Sequence, residues 1–376
     1  MQGKIGRAEF FSLALVLCLN SVVLLGAVEK TAGPLSWLVL VAALQAGLLC
    51  WLLFYFWLKL YAGQRFGSSL EYAFGRAAGR MVLFAYALFW LFLTELFGGC
   101  VAVFWSSLGA NNLPLWFYTV LFLLVVACFA ATGGTALARV ALLVVVPALL
   151  LTLVNLWLTV WNADFGNLLP LQPWRTTESP AVIWQGWYYG LLVFGGFSAL
   201  LPIFQHTREV KQRLGTLGVA LVIAFLLWLV LAMGSQVVLG ASLPLYEFPI
   251  LQVFRLAEFG HWFSRFEVIG AVLLVMLALL RAAALFGAAV SSLLELWEIK
   301  SQQRGRIWLV SLGCWLLLLI LYWANRFYTL PGELLLTICV WLMGIFALLL
   351  PASAVLFGAL KFKKEHRNIV VKHEQY

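Results

Sequence analysis

Two ionisable residues stand where a charge is expensive. Glu95 lies near the middle of an apolar run, in Leu-Phe-Leu-Thr94-Glu95-Leu-Phe-Gly98-Gly99. Arg281 lies near the middle of another, in Leu-Ala-Leu-Leu-Arg281-Ala-Ala-Ala. A charge at the centre of a membrane helix costs about 2.5–3.5 kcal/mol on insertion scales, so such residues are paired or functional. Three kinds of chemistry fit the pair. They can form a buried ion pair that fixes helix packing. They can line a cavity and meet the two ends of a zwitterion. Glu95 can also relay a proton.

A third feature is backbone rather than side chain. Trp184-Gln-Gly-Trp-Tyr-Tyr-Gly-Leu-Leu-Val-Phe-Gly-Gly-Phe-Ser-Ala-Leu-Leu-Pro202 sits in a run without Asp, Glu, Lys or Arg from Ser179 to Gln205. That run is long enough to cross a bilayer. Its centre, Phe194-Gly195-Gly196-Phe197-Ser198, is poor helix material. Each glycine weakens a helix by about 1 kcal/mol relative to alanine. A helix that weakens at the bilayer midplane can offer backbone donors and acceptors to a solute, as discontinuous transporter helices do. The alternative is a packing role, in which Gly186, Gly190, Gly195 and Gly196 let another helix approach closely.

The composition supplies the frame for these residues. The chain has 376 residues, 64% hydrophobic and 10% charged, with a mean hydropathy of +1.00. That profile is of an all-α polytopic membrane protein. The formal net charge is +9. No basic helix interleaved with aromatics accompanies it, so nucleic acid is not expected as a partner. The six cysteines all lie in apolar runs without C-x-x-C spacing, and the four histidines lack ligand spacing. A disulfide framework, a metal or a cofactor is therefore not expected. No Walker lysine motif, Rossmann fingerprint or H-E-x-x-H occurs, and an enzyme is not expected.

Ten spans can be read, at roughly 9–28, 35–60, 81–107, 115–133, 139–161, 182–205, 215–239, 266–294, 306–324 and 333–358. Segment 247–259 has apolar residues at helical spacing and reads as an interfacial helix. With the N-terminus inside, 18 Lys and Arg fall on the inner side and 5 on the outer. The positive-inside bias then makes both termini cytoplasmic. The whole of 1–376 reads as one transmembrane domain, with a basic cytoplasmic tail over 359–376.

Ten spans divide into five plus five of opposite orientation, the arithmetic of an inverted repeat. Repeat one covers about 1–161 and repeat two about 182–358. Spans 1 and 6 then correspond. Span 1 has a polar interruption at Asn20-Ser21, and span 6 has Gly195-Gly196. Spans 3 and 8 also correspond, and they carry Glu95 and Arg281. Candidate substrate-binding residues are Asn20, Ser21, Thr94, Glu95, Gly195, Gly196, Ser198 and Arg281.

The chain resembles the spore-germination permease family, the B subunits of nutrient germinant receptors. That family belongs to the amino acid–polyamine–organocation transporter superfamily. The residues that carry the resemblance run along the chain. Lys4-Ile5-Gly6 precedes span 1, where the family usually has Lys-Ile-Ser. Arg65-Phe66-Gly67-Ser68-Ser69-Leu70-Glu71-Tyr72 follows span 2, with Gly75 and Gly79 behind it. Arg139 starts span 5, and Asn167-Leu168-Leu169-Pro170 follows it. Phe194-Gly195 and Leu201-Pro202 are in span 6. The most specific run is Phe248-Pro249, Val253-Phe254-Arg255-Leu256 and Arg265-Phe266-Glu267. The family's acid just after Phe-Gly in span 6 is replaced here by Gly196 and Phe197.

The resemblance implies a transporter-like subunit of a nutrient germinant receptor in the inner membrane of the spore. It implies a small nutrient ligand, often an amino acid, and partner subunits of the A type and the lipoprotein C type. It also implies an alternative, a secondary amino acid transporter. Some superfamily members have a fixed cation in place of a coupling sodium ion, and Arg281 would then make the protein sodium-independent.

Overall fold

In hydrocarbon every backbone N–H and C=O must be satisfied within the protein, so long apolar runs have the helix as their open choice. The computed structural model describes residues 5–19, 35–61, 63–108, 113–161, 163–168, 179–204, 210–256, 266–298, 304–328, 338 and 340–373. Every extended regular element among them is helical. The first half comprises α1 (Arg7–Leu19), α2 (Ser36–Leu60), α3 (Phe66–Phe74), α4 (Arg76–Ser107), α5 (Leu115–Ala131) and α6 (Gly134–Trp161). The second half begins with α7 (Ser179–Phe194), a 3-10 segment (Gly195–Ala199) and α8 (Leu200–Phe204). There follow α9 (Val210–Leu239), α10 (Pro249–Leu256), α11 (Phe266–Leu296), α12 (Arg304–Tyr328), a π-helical turn (Gly344–Leu349) and α13 (Leu350–His373).

Among the described residues, 7 helices are long and apolar enough to cross a membrane. Two shorter apolar helices, Leu115–Ala131 and Val310–Ile320, join them. Each of these coincides with a span expected from the sequence. The outer surface agrees with lipid as solvent. Along α6, Leu143, Val146, Leu150, Leu153, Trp157 and Val160 are exposed, while Ala141, Val144, Val145 and Ala148 are buried. Such a continuous apolar stripe would be a liability in water and is ordinary against acyl chains. The protein is a polytopic helical membrane protein.

Two connections differ from their expected form. The connection between spans 2 and 3 contains α3, which the sequence pattern did not announce. Gly75, at φ 88°, ends α3 and turns the chain directly into α4; only glycine adopts that backbone at little cost. Of the segment expected to lie in the interface, 247–259, residues 257–259 lie outside the described residues and Pro249–Leu256 form the helix α10. Its apolar residues Pro249, Ile250, Leu251, Val253 and Phe254 are buried, and α10 packs on α9 and α11. Protein rather than headgroups receives its apolar face, because Gly270 of α11 leaves room for the Phe254 ring. A Cβ at Gly270 would come within 2.8 Å of that ring. The basic tail also starts as a helix, since α13 runs on to His373.

The closest helix pairs are α2 with α7, α4 with α11, and α1 with α9. The first depends on small residues. A Cβ at Gly190 would lie 2.6 Å from the Cα and carbonyl oxygen of Ala43, and one at Gly186 would lie 2.5 Å from the Val39 carbonyl oxygen. These two glycines therefore have the packing role, as close-approach residues between membrane helices. Gly190→Ala should lower thermal stability in detergent by roughly 1–3 kcal/mol, the usual cost of overpacking. Gly99→Ala is the control, because a Cβ there meets nothing within 4 Å. Equal melting temperatures for the two variants would contradict the packing role.

Candidate functional site

The helix of span 6 changes geometry where its two adjacent glycines stand. α7 ends at Phe194, the 3-10 segment Gly195–Ala199 follows, and α8 resumes at Leu200. Passing from 3.6 to 3.0 residues per turn disturbs the i→i+4 ladder, so the last carbonyls of α7 need other partners. Arg281 supplies them. Its Nη2 donates to the carbonyl oxygens of Leu192 at 2.9 Å and Val193 at 3.1 Å.

Arg281 itself is 0% exposed. A buried cation carries a desolvation penalty of several kcal/mol unless hydrogen bonds and opposite charge offset it. Three contributions do so here. Hydrogen bonds to a charged group are worth roughly 1.5–3 kcal/mol each. The C-terminal end of α7 presents the negative pole of its dipole. The guanidinium carbon lies 4.3 Å from the centroid of the Phe97 ring in α4, a cation–π contact. Gly196 makes the approach feasible. A Cβ there would be 3.0 Å from Nη2, so the missing side chain is the space that the guanidinium uses.

The same short segment is held from the other sides. Trp90 Nε1 of α4 donates to Ser198 Oγ at 2.9 Å, and both groups are buried. Thr94 Oγ1 donates to the Trp90 carbonyl at 2.8 Å, one turn along. A Cβ at Gly195 would lie 2.8 Å from Met343 Sδ and 3.2 Å from Ala347 Cβ. Tyr86 OH donates to the Phe346 carbonyl at 2.8 Å inside the π-helical turn, where that turn leaves carbonyls unmatched. The described part of span 1 also reaches the site, since α1 packs on α7, on the 3-10 segment and on α11.

Of the residues expected from the sequence, the structure brings together Thr94, Gly195, Gly196, Ser198 and Arg281. All five are buried. Glu95 is buried on the same helix as Thr94, at 5% exposure. The direct Glu95–Arg281 ion pair is not among the ion pairs formed by the described residues, which are Arg80–Glu71, Arg80–Glu298 and Arg139–Glu9. Asn20 and Ser21 lie outside the described residues. Participants not foreseen include Tyr86, Trp90, Phe97, Met343 and Phe346. Trp90 left a trace, because a tryptophan buried in mid-span needs a partner for its N–H.

α11 carries a second connection. Beyond Arg281 the helix runs unbroken to its end at Leu296. There Glu295 accepts hydrogen bonds from the backbone N–H groups of Gly67 and Ser68 at the start of α3. Glu298, in left-handed backbone at φ 56°, reaches Arg80, which also pairs with Glu71 of α3 at 2.9 Å. On the far side Lys361 of α13 donates to the Tyr72 carbonyl at 3.0 Å. One rigid helix therefore links the buried guanidinium to the short helix α3.

The Trp90–Ser198 bond can be weighed directly. Ser198→Ala leaves the Trp90 N–H without its acceptor and should cost roughly 0.6–2 kcal/mol, the range for interhelical bonds in membranes. In a Trp90→Phe background the same change should cost close to nothing. Thermal unfolding of the four proteins in the cycle gives the coupling. Equal losses in both backgrounds would contradict the bond.

The family model described as spore germination protein matches residues 4–328. Comparison with curated proteins returns no match. The match runs from just before α1 to the end of α12 and includes every element that builds the site except the π-helical turn. The chain belongs to the spore-germination permease family.

Proposed function

We propose that this chain is the transporter-like membrane subunit of a nutrient germinant receptor. In this reading a small nutrient, an amino acid by preference, binds beside the 3-10 segment of span 6. The observation that carries it is the helix break at Gly195–Ala199, whose adjoining carbonyls face a buried cation instead of continuing the helix. Family membership supports a role in germination.

The full proposal has ten spans in a five-plus-five inverted repeat, and both termini in the cytoplasm of the spore's inner membrane. Ligand contacts come from Thr94, Glu95, Gly196 and Ser198, with Asn20 and Ser21 of span 1 included from their place in the sequence alone. Binding displaces α11 relative to α7, and α11 passes the motion to α3 through Glu295 and Glu298. Subunits of the A type and the lipoprotein C type receive the signal.

A second reading is a sodium-independent secondary amino acid transporter. The position of Arg281 favours the sodium-independent part in either case. Both protons of Nη2 are committed to carbonyls at a half-helix C-terminus, the kind of site where a coupling cation is held in related architectures. A permanently charged guanidinium there needs no ion from solution.

The test is a binding screen of the purified chain against amino acids, sugars and nucleosides. We expect a small amino acid to bind, with affinity unchanged when sodium is replaced by choline. Gly196→Leu should weaken binding at least tenfold, about 1.4 kcal/mol, at normal expression. Sealed vesicles containing the chain alone should accumulate none of that ligand. Concentrative uptake would favour the transporter reading. Full binding by Gly196→Leu would overturn both.

A further inference from the structure

We propose that the groove between α1 and α9 is a binding site for one anionic phospholipid. The groove is an open one of about 380 Å³, lined by Arg7, Ala8 and Phe11 of α1 and by Thr216 and Val219 of α9. Its walls are almost wholly apolar. Such walls give water few partners. A hydrocarbon chain fills such a space without losing hydrogen bonds.

The charge decides which lipid. Arg7 is exposed at the rim, on the first residue of α1, the depth at which a span meets the headgroups. The neighbouring acid is engaged elsewhere: Glu9 accepts from the Gly6 N–H at 2.8 Å and pairs with Arg139 at 3.3 Å. Arg7 is not among the ion pairs of the described residues. Basic pockets between helices at a membrane face select anionic headgroups. A guanidinium binds a phosphate through two parallel hydrogen bonds, and zwitterionic lipid offers the same phosphate with a compensating cation. The groove therefore holds an acyl chain against Phe11 and Val219, with the lipid phosphate at Arg7.

The site has a mechanical consequence. α1 packs on α7 and on the Gly195–Ala199 segment, and α9 packs on α1 and α2. A lipid seated between α1 and α9 resists their separation and stabilises the arrangement around the break in span 6.

The experiment is native mass spectrometry of the full chain from nanodiscs of equal phosphatidylglycerol and phosphatidylcholine. We expect one phosphatidylglycerol retained in preference to phosphatidylcholine. Arg7→Gln should reduce retention about fivefold, the effect of one basic residue at an anionic surface. Val219→Trp, which fills the groove at a lipid-exposed position, should reduce it while leaving Arg7 in place. Arg255→Gln, on α10, should change nothing. Equal retention of the two lipids would overturn the proposal, as would unchanged retention in Arg7→Gln and Val219→Trp. Displacement of the bound lipid by millimolar inorganic phosphate or glycerophosphoglycerol would also overturn it, since the site would then recognise a soluble anion.

Discussion

A cation that water cannot reach must be answered by the protein, and in this structure the answer is the end of a helix. Arg281 and the carbonyls of Leu192 and Val193 need each other. Without the guanidinium, those carbonyls would face the interior with the ladder disturbed beside them. Without the carbonyls, the guanidinium would lose two hydrogen bonds that offset its desolvation. Gly196 provides the space, Phe97 provides a polarisable face, and the Trp90–Ser198 bond holds the segment from the opposite side. The break in span 6 is thus stabilised by partners from α4, α11 and the last span, not by its own sequence.

The same helix that carries the guanidinium also reaches the cytoplasm-side clamp of the proposed arrangement, the start of α3. α11 is continuous from Arg281 to its contact with α3. The clamp on α3 is built from exposed or half-exposed ion pairs, which solvent screens, and from backbone hydrogen bonds to Glu295.

Much of the fold was legible because lipid simplifies the grammar. Uninterrupted apolar runs marked the helices, and Gly195-Gly196 marked the place where span 6 changes geometry, whereas the π-helical turn of the last span had no comparable mark. Arg281 was legible for the same reason, as a charge out of place. What the sequence did not disclose is equally physical. Glu95 and Arg281 suggested each other as partners by charge alone, yet the guanidinium is bound by backbone, whose carbonyls leave no mark in a sequence. α3 was hidden in a connection because its helix depends on Glu295, more than two hundred residues away, to satisfy its first N–H groups. Gly186 and Gly195 looked alike in sequence. One meets the backbone of α2 and the other meets Met343, and only tertiary packing separates them.

The central claim is that Arg281 maintains the break in span 6. Backbone hydrogen–deuterium exchange across residues 192–199, compared between the native chain and Arg281→Met in the same detergent, tests it most directly. The account predicts markedly faster exchange of Gly195–Ala199 in the variant, with the exchange of α6 unchanged. Identical exchange of 192–199 in a variant of native helix content would contradict it, because the carbonyls would then have no need of the guanidinium.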